Sequence, residues 1–247
     1  QAWELNQKGR NNVIIGGNLW LKMGNRNILN AIDLSTLGLD RIEEDEGGFR
    51  IGCMATLRDI EMHEGLNKEF QNLFKEAVRH IVGVQFRNCA TVGGSIFPKL
   101  GFSDVLTAFL ACDTQVILYK KGEVSLREFI YMPLDNDILT HIYVKKDGRK
   151  TAYESFRMTE TDFPTLTCAM AMVDGRFETV LGARPKHAEV VIDEELADSL
   201  SKEDVASYAK RVIDKLQYGS NIRGSKQYRK QLSKVLIGRC ISRLTEE

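Results

Sequence analysis

Short apolar runs bounded by turn signals organise the first third of the chain and predict strands followed by helices. Residues 13–15 are β-branched and run into Gly16-Gly17, which is typical of a buried strand that ends in a tight turn. Residues 49–54 predict a second strand, and the segment 56–59 has the form of a capping box, which predicts a helix that begins there. Over residues 70–81 apolar side chains recur every three or four positions, so this segment predicts one amphipathic helix.

The middle of the chain continues in the same mixed order. A glycine-bearing loop is predicted over residues 88–96, and an apolar helix is predicted over 103–111. Strands are predicted over 115–119 and 138–144. The run 145–150 is polar and contains glycine, and we place the boundary between two domains there.

The last hundred residues have the pattern of strands followed by helices. Asp174-Gly175 is the strongest hairpin signal in the chain and lies between the predicted strands 165–173 and 176–181. A second capping box opens a predicted helix over 201–216, and the last helix is predicted over 228–244. This order of elements predicts an α+β fold in two domains.

The charge balance narrows the possible partners. The 247 residues contain 34 basic and 34 acidic side chains, so no overall positive field attracts nucleic acid or an anionic membrane. No apolar stretch reaches the roughly 18–20 residues that span a bilayer, and no secretory pattern opens the chain. We therefore expect a cytoplasmic protein with no membrane span and no nucleic-acid partner. Residues 1–8 already look helical, so we expect that some upstream sequence precedes them.

The titratable side chains predict no metal site and no catalytic residue in this chain. The five cysteines are widely spaced and include no C-x-x-C pair, which argues against a disulfide framework, a zinc site and an iron–sulfur cluster. The four histidines show no metal-ligand spacing and no pairing with a carboxylate. A basic cluster near the last helix is predicted to be a solvated face rather than a phosphate site, with a partner surface as the intermediate option. Its members are Arg223, Lys226, Arg229 and Lys230.

Two Gly-Gly turns, Gly16-Gly17 and Gly93-Gly94, are the candidate binding features. Residues without a Cβ let the backbone approach a phosphate closely, so that successive N–H groups converge on its oxygens. An isolated Gly-Gly is more often only a turn, and neither segment matches the G-x-G-x-x-G or Walker pattern. Asn18, Thr91 and Ser95 accompany the turns, and their side chains can add hydrogen bonds to phosphate or ribose.

Asp104 follows Ser103 at a predicted helix start and has two interpretations. Its carboxylate can accept hydrogen bonds from the hydroxyls of a sugar or a flavin side chain. It can also be a first-turn acid that the helix dipole favours, and for Asp104 considered alone this second interpretation is the better one.

The two loops together resemble a known family. Residues 13–23 read V-I-I-G-G-N-L-W-L-K-M, residues 86–96 read F-R-N-C-A-T-V-G-G-S-I, and Ser103-Asp104 follows them. This combination resembles the FAD-binding subunit or domain of the molybdenum hydroxylases, a family that includes xanthine dehydrogenase and aerobic carbon monoxide dehydrogenase. Residues 165–172 and the segment 221–229, which contains R-G-S-x-x-Y-R, are similar to the C-terminal domain of that family. The resemblance therefore covers nearly the whole chain.

The resemblance implies a fold and a division of the chain. It implies a two-loop FAD-binding domain of the vanillyl-alcohol-oxidase or PCMH type over residues 1–146, made of two α/β subdomains at about 1–50 and 51–146. It implies an α+β C-terminal domain with an antiparallel sheet and helices over 147–247.

The resemblance also implies which residues contact the cofactor. The two loops would lie against the pyrophosphate and adenosine of FAD, Asp104 would bind the ribityl or ribose part, and Ile81, Ile96 and Leu139 would lie near the rings. In chain order the implied contacts are Ile14, Ile15, Gly16, Gly17, Asn18, Leu19, Trp20, Ile81, Thr91, Gly93, Gly94, Ser95, Ile96, Ser103, Asp104 and Leu139.

Three positions depart from the family pattern. Leu19 stands where the first loop usually carries a small polar residue, and Ser95 stands where the second loop usually carries Asn. A lysine that often lies near the flavin falls at Glu154 or Ser155 in this chain. Each change removes a possible hydrogen bond or a charge near the cofactor. The resemblance therefore implies that this chain would differ from the family in how firmly it holds the flavin or in the reduction potential of the flavin.

The function that the resemblance implies is electron relay rather than acid–base catalysis. A partner subunit with a molybdenum cofactor would hydroxylate the substrate, a partner with two-iron two-sulfur clusters would pass the electrons on, and FAD in this chain would deliver them to NAD or another acceptor. The chain alone is not expected to turn over substrate. Two alternatives stay open. One is a structural or docking subunit that has lost its flavin, which Leu19 and Ser95 motivate, and the other is a free-standing flavin oxidase.

Overall fold

The computed structural model of the chain describes residues 1–193 and 201–245, in which helices and strands alternate in mixed order. The helices are α1 (Ala2–Gln7), α2 (Leu57–Met62), α3 (Glu64–Glu69), α4 (Leu73–Val78), α5 (Val84–Arg87), α6 (Val92–Ile96), α7 (Asp104–Leu110), α8 (Leu126–Phe129), α9 (Lys202–Asp214) and α10 (Lys226–Thr245). The strands are β1 (Asn12–Ile15), β2 (Asn30–Asp33), β3 (Ile42–Glu44), β4 (Gly48–Gly52), β5 (Thr114–Leu118), β6 (Gly122–Ser125), β7 (Leu139–Lys145), β8 (Lys150–Arg157), β9 (Pro164–Val173), β10 (Arg176–Gly182) and β11 (Glu189–Ile192). The implied C-terminal domain includes residues 194–200 and 246–247, which lie outside the described residues.

The strands form three sheets. β1 and β2 pair in parallel, whereas β3, β4, β7, β5 and β6 form, in that order, a five-stranded antiparallel sheet. The strands β11, β10, β9 and β8 form a four-stranded antiparallel sheet. The predicted α+β class, with an antiparallel sheet followed by helices at the end of the chain, is confirmed. The implied subdomain limit at about residue 50 falls inside β4, which spans residues 48–52. This strand pairs with β3 on one edge and with β7 on the other, so both neighbours belong to the same sheet.

Side-chain hydrogen bonds cap three helices at the positions that the sequence predicts. The Thr56 hydroxyl accepts a hydrogen bond from the Asp59 N–H at 3.1 Å, and the Asp59 carboxylate accepts one from the Thr56 N–H at 2.8 Å. This capping box opens α2, as predicted. Ser103 and Ser201 cap α7 and α9 in turn, and each hydroxyl accepts from an N–H in the first turn of its helix.

The single helix predicted over 70–81 is wrong. The chain leaves α3, turns at Gln71 and Asn72, whose φ angles of 44° and 63° are left-handed, and resumes as α4. The buried Asn67 side chain holds this turn, because its amide nitrogen donates to carbonyls at the end of α2 and its oxygen accepts from the N–H of Lys75 at 3.1 Å. The apolar spacing reports the buried sides of both helices but not the break between them.

The loop predicted over 88–96 is helical in its second half. Thr91 caps the five-residue helix α6, and its hydroxyl accepts from the N–H of Gly94 at 3.1 Å. Gly93 is buried, and a Cβ at this position would lie only 2.7 Å from the Cβ of Cys53. Glycine is therefore required at position 93 for α6 to pack, and Gly93-Gly94 belongs to a helix rather than to an open turn.

The four-stranded sheet is covered on both sides, and its central strand β9 is buried over 164–171. Side chains that alternate along β9 face opposite layers. Thr167 meets Thr107 of α7 through hydroxyls 2.9 Å apart, whereas Cys168 and Met170 pack with α9 and α10. The predicted hairpin at Asp174-Gly175 joins β9 to β10 and is confirmed. Within the described residues, no helix is both long and apolar enough to cross a membrane.

Arg229 corrects the predicted solvated face near the last helix. Its side chain has no exposed surface, and its Nε donates to the carbonyls of Thr165 and Ala183 at 2.9 and 3.2 Å. Arg223 is also engaged, because its guanidinium pairs with Asp162 at 2.7 Å. The sequence shows a basic cluster, but these two cations hold the turn before α10 against the sheet.

Candidate functional site

The first loop, defined as residues 16–20, leaves the end of β1 with open backbone donors. Asn18 takes a left-handed φ of 58°, which asparagine tolerates better than most residues. The N–H groups of residues 17–20 have no hydrogen-bond acceptor within the described part of the chain. Neighbouring amides that are open in this way are the groups with which protein loops bind phosphate oxygens.

The second loop, defined as residues 88–96, lies directly against the first. A Cβ on Gly17 would lie 1.7 Å from the carbonyl oxygen of Cys89, and a Cβ on Gly16 would lie 2.5 Å from the hydroxyl oxygen of Thr91. The structure therefore brings together the two loops that the sequence singles out. Contact between the loops is itself a physical reason for glycine at 16 and 17, apart from any approach of a phosphate.

The backbone donors of the second loop are used inside the chain. Those of residues 92–95 all have acceptors, namely Ala55 O for Val92 at 2.8 Å, Cys53 O for Gly93 at 2.9 Å, Thr91 Oγ1 for Gly94 at 3.1 Å and Thr91 O for Ser95 at 3.1 Å. The expectation that these amides converge on an anion is therefore not met. The hydroxyl of Ser95 also donates within the loop, to the carbonyl of Thr91 at 2.9 Å. The second loop thus braces the first loop and adds few donors of its own.

A buried ion pair that the sequence does not signal holds the second loop in place. Arg87, the residue before this loop, donates to both carboxylate oxygens of Glu61 at 2.8 and 3.1 Å and to the carbonyl of Ile81 at 3.2 Å. Burial alone would raise the pKa of Glu61, but hydrogen bonds from Arg87 and Arg58 outweigh burial and hold that pKa below its ordinary value. The pair ties α2, the turn at Ile81 and the second loop into one unit.

Asp104 is the first residue of α7 and contacts β8, and this chain already engages its carboxylate. The Nη2 of Arg157 lies 2.7 Å from one oxygen, and the hydroxyl of Tyr153 donates to the other. Burial raises the pKa of Asp104, whereas the Arg157 guanidinium favours its charged form. A cofactor hydroxyl at Asp104 would have to share one of these oxygens. Ser103 links the group to the second loop, because its hydroxyl donates to the carbonyl of Ser95 at 2.9 Å.

The three apolar side chains expected near the flavin rings differ in accessibility. Ile96 and Leu139 lie in the hydrophobic core with exposures of 0% and 5%, whereas Ile81 is partly exposed. His80 stands next to Ile81 in the chain, and burial together with the charges of Arg79 and Arg157 holds the pKa of His80 below its ordinary value. Ile81 is therefore the only one of the three that offers accessible apolar surface.

Apart from Leu19, the positions that depart from the family pattern have partners of their own. Leu19 is half-buried in the first loop. The Glu154 carboxylate pairs with Arg243 of α10 at 2.6 Å, and the Ser155 hydroxyl accepts from the Nη1 of Arg157 at 2.6 Å. Arg157 thus supplies the positive charge at this end of β8, whereas position 154 carries a carboxylate and position 155 a hydroxyl that accepts a hydrogen bond.

An aromatic cluster at the end of the first loop is a feature that sequence reasoning missed. The ring centroids of Trp20 and Phe102 are 5.3 Å apart, those of Phe102 and Phe163 are 4.4 Å apart, and Trp20 is 52% exposed. Arg223 stacks over Phe163 with 5.0 Å between the guanidinium carbon and the ring centroid. The cluster ties the first loop to the start of β9, and no sequence signal marks it because the three rings come from distant segments.

The side chains that bind metals in proteins are dispersed here. Among residues 1–193 and 201–245, no three His, Cys, Asp or Glu side chains come together in a way that could hold a metal ion. Cys89 is the one exposed cysteine of the five, and burial raises the pKa of the Cys53 thiol to about 12. The polar groups of the candidate site are thus the open N–H groups of residues 17–20, the hydroxyls of Thr91 and Ser95, and the buried guanidinium of Arg157.

Known proteins share both the sequence pattern and the fold. Residues 1–144 match the family described as the FAD binding domain in molybdopterin dehydrogenase. The uncharacterized protein YgfM of Escherichia coli is 28% identical over 144 residues, which are 58% of this chain and 54% of that protein. This chain thus spans about half the length of that curated relative. The glyceraldehyde dehydrogenase medium chain of Sulfolobus acidocaldarius is 26% identical over 223 residues, which are 83% of this chain and 79% of that one.

A solved structure extends the likeness to the whole chain. The structure of quinoline 2-oxidoreductase from Pseudomonas putida 86 superposes with a TM-score of 0.88 at 17% identity and covers 98% of this chain and 92% of that chain. At this identity the likeness establishes the fold alone. The family match covers residues 1–144, which are more than half of the chain, and this chain therefore belongs to the FAD-binding domain family of molybdopterin dehydrogenases.

Proposed function

We propose that this chain is the FAD-binding, electron-transferring subunit of a molybdenum hydroxylase-type complex. The observation that carries the proposal is the first loop, in which the N–H groups of residues 17–20 have no acceptor among residues 1–193 and 201–245 and the second loop packs against them. A diphosphate needs several converging donors, and backbone amides supply them without an arginine. The residues present therefore fit FAD.

Each part of the site would have its own task. The first loop would hold the pyrophosphate with its open amides, and Asn18 would add its exposed side chain. Thr91 and Ser95 would offer hydroxyl oxygens from the second loop. Ile81 would supply the apolar contact to the rings. The remaining implied residues, Ile14, Ile15, Gly16, Gly17, Leu19, Trp20, Gly93, Gly94, Ile96, Ser103, Asp104 and Leu139, would shape the walls or hold these groups in position.

The chain would bind and position the cofactor and would carry no substrate chemistry. When bound, FAD supplies the electron transfer between a one-electron donor and the final acceptor. The molybdenum cofactor and the two-iron two-sulfur clusters would belong to partner subunits, in line with the name of the Sulfolobus relative, which is one chain of a dehydrogenase. The final acceptor would be NAD or another oxidant, and the five unpaired thiols fit a reducing, cytoplasmic compartment.

The same proposal includes the division of the chain. Residues 1–146 would form the FAD-binding domain, in line with a family match that ends at residue 144. Residues 147–247 would form the second domain, whose sheet supplies Arg157 to the site.

Titration of the purified chain with FAD tests this function through flavin fluorescence and the visible absorption band. We expect saturable one-to-one binding. Gly94→Val should weaken it at least about tenfold, because Gly94 is exposed and a branched side chain there would stand in the space proposed for the cofactor. The variant should still fold, since the added Cβ meets only the Thr91 hydroxyl, at 2.9 Å. Gly9→Val is the matched control, since a Cβ at position 9 meets nothing within 4 Å. Equal affinity of the two variants would contradict the proposed site.

A structural or docking subunit without flavin is the second candidate. The engaged amides of the second loop favour it, together with Leu19 and Ser95, which offer fewer hydrogen bonds than the usual residues. A folded wild-type chain that shows no saturable binding of FAD, but is still required to assemble the complex, would establish this alternative and refute the first.

A further inference from the structure

Arg157, the last residue of β8, carries a buried hydrogen-bond donor that no group in the described chain accepts. Its side chain is 6% exposed. Nη2 pairs with Asp104 at 2.7 Å and Nη1 donates to the Ser155 hydroxyl at 2.6 Å, whereas Nε has no partner among the described residues. Native structures rarely leave such a donor unpaired, because its lost contact with water is not repaid. The unpaired Nε therefore needs an explanation.

The surroundings of Arg157 are those expected for the flavin half of FAD. Its partner Asp104 follows Ser103, whose hydroxyl is bound to the second loop. Arg157 is thus joined through Asp104 and Ser103 to the second loop, and its partner Asp104 is the residue that the resemblance assigns to the ribityl or ribose part of FAD.

We propose that the Nε–H of Arg157 donates a hydrogen bond to the isoalloxazine or ribityl part of bound FAD. This inference rests on the proposed function. Asp104 and Ser155 hold the other two nitrogens of the guanidinium, so the orientation of the group is fixed by this chain before the cofactor arrives. The isoalloxazine carries carbonyl and ring-nitrogen acceptors, and a cation beside them stabilises the reduced, more electron-rich ring. Arg157 would therefore both bind the flavin and raise its reduction potential.

Arg149, which precedes β8, provides a matched control. Its side chain is 5% exposed, and it reaches the opposite end of α7 through a hydrogen bond to the carbonyl of Ala111 at 2.6 Å. All three of its guanidinium nitrogens have partners, because Nε and Nη2 bind Asp147 and Nη1 binds Ala111. The two arginines are equally buried and paired, and they differ in the orphaned Nε.

The test compares wild type, Arg157→Lys and Arg149→Lys in titrations with FAD and with ADP, which lacks the flavin half. Arg157→Lys keeps the positive charge and removes the Nε–H. We expect it to weaken FAD binding about tenfold, to leave ADP affinity unchanged and, because the hydrogen bond to the reduced ring is lost, to lower the reduction potential of bound flavin. We expect Arg149→Lys to match wild type in all three measurements. Circular dichroism and thermal unfolding confirm that each variant is folded.

The outcomes separate this inference from the proposed function. A folded wild type that binds neither FAD nor ADP refutes both. Wild-type binding with equal FAD affinity for wild type and Arg157→Lys refutes the role of Arg157 alone. The same follows if FAD and ADP weaken equally, or if Arg149→Lys behaves as Arg157→Lys does, because either result indicates a general packing effect.

A second measurement keeps the inference testable if Arg157→Lys does not fold. In wild-type protein labelled with [15N]arginine, the buried Nε–H of Arg157 gives a slowly exchanging signal. Saturation with FAD should shift one such signal, and saturation with ADP should leave it in place. If no slowly exchanging arginine signal moves when FAD binding is complete, the proposed hydrogen bond does not exist.

Discussion

Replacing Gly17 by alanine tests the contact between the two loops. The added Cβ would lie 1.7 Å from the carbonyl oxygen of Cys89 and 2.4 Å from its carbonyl carbon. Both are backbone atoms, so no side chain can rotate away and one loop must move. Ordinary van der Waals contact begins at 3.4 Å, so the two loops must separate by about 1.7 Å to accommodate this Cβ. A shift of this size would carry the open amides of the first loop away from their present positions.

The expected cost follows from a graded series of three substitutions. Gly17→Ala should lower the free energy of unfolding by about 1–3 kcal/mol, the usual range for an overpacked position. Gly16→Ala should cost less, because its Cβ meets the hydroxyl oxygen of Thr91 at 2.5 Å and a side chain can adjust. Gly9→Ala meets nothing within 4 Å and should be neutral or stabilising by about 0.4–1 kcal/mol, since alanine restricts the unfolded chain.

Urea unfolding measures this series, and FAD titration of the same samples shows whether affinity follows the displacement. For a chain of this length each kcal/mol corresponds to roughly 2–4 °C in Tm, so the order of the three variants is resolvable by thermal unfolding as well. We expect FAD affinity to fall most in Gly17→Ala. If Gly17→Ala unfolds at the same urea concentration as Gly9→Ala, the two loops are not in contact as described.

Two further predictions concern the buried ion pair beside the second loop and the exposed cysteine within it. Glu61→Gln should cost about 1–3 kcal/mol, because the buried Arg87 loses its charged partner. The pKa of Glu61 is lowered in the fold, so wild type loses this contribution as the pH falls from 4.5 through the lowered pKa. Urea unfolding over a pH series should show a shallower acid loss in the variant, and equal slopes would contradict the pairing. A thiol reagent should modify only Cys89 in the folded protein and all five cysteines in urea, since the other four are buried. Saturating FAD should slow the reaction of Cys89, and an unchanged rate would place the cofactor away from the loops.

Features that depend on local contacts are predictable from this sequence. The helix starts at Thr56, Ser103 and Ser201 rest on hydrogen bonds to residues within one turn, so the residue types at those positions carry the information. The hairpin at Asp174-Gly175 rests on two neighbouring residues that accept left-handed φ angles. In each case the physical cause lies inside the window in which the pattern is read.

Features that depend on contacts outside the segment being read are not predictable in this way. The segment 70–81 has helical spacing throughout, yet the side chain of Asn67 holds a turn just before α4. Asp104 has two local interpretations, and in the structure it is the buried partner of Arg157 and Tyr153, about fifty residues further along the chain. The spacing of apolar residues within one segment contains no information about partners outside that segment.

The division of tasks between the two loops is the clearest case. From the sequence, Gly16-Gly17 and Gly93-Gly94 are equivalent candidates for cradling a phosphate. In the structure the N–H groups of Gly93 and Val92 donate to the carbonyls of Cys53 and Ala55, just after β4, at 2.9 and 2.8 Å. The N–H groups of residues 17–20 have no such acceptor in the described part of the chain. Whether a backbone N–H is available depends on an acceptor elsewhere in the fold. Substitutions that disturb the packing of the second loop should therefore weaken FAD binding chiefly because the first loop is no longer held in place. The loss of FAD affinity should then increase with the loss of stability.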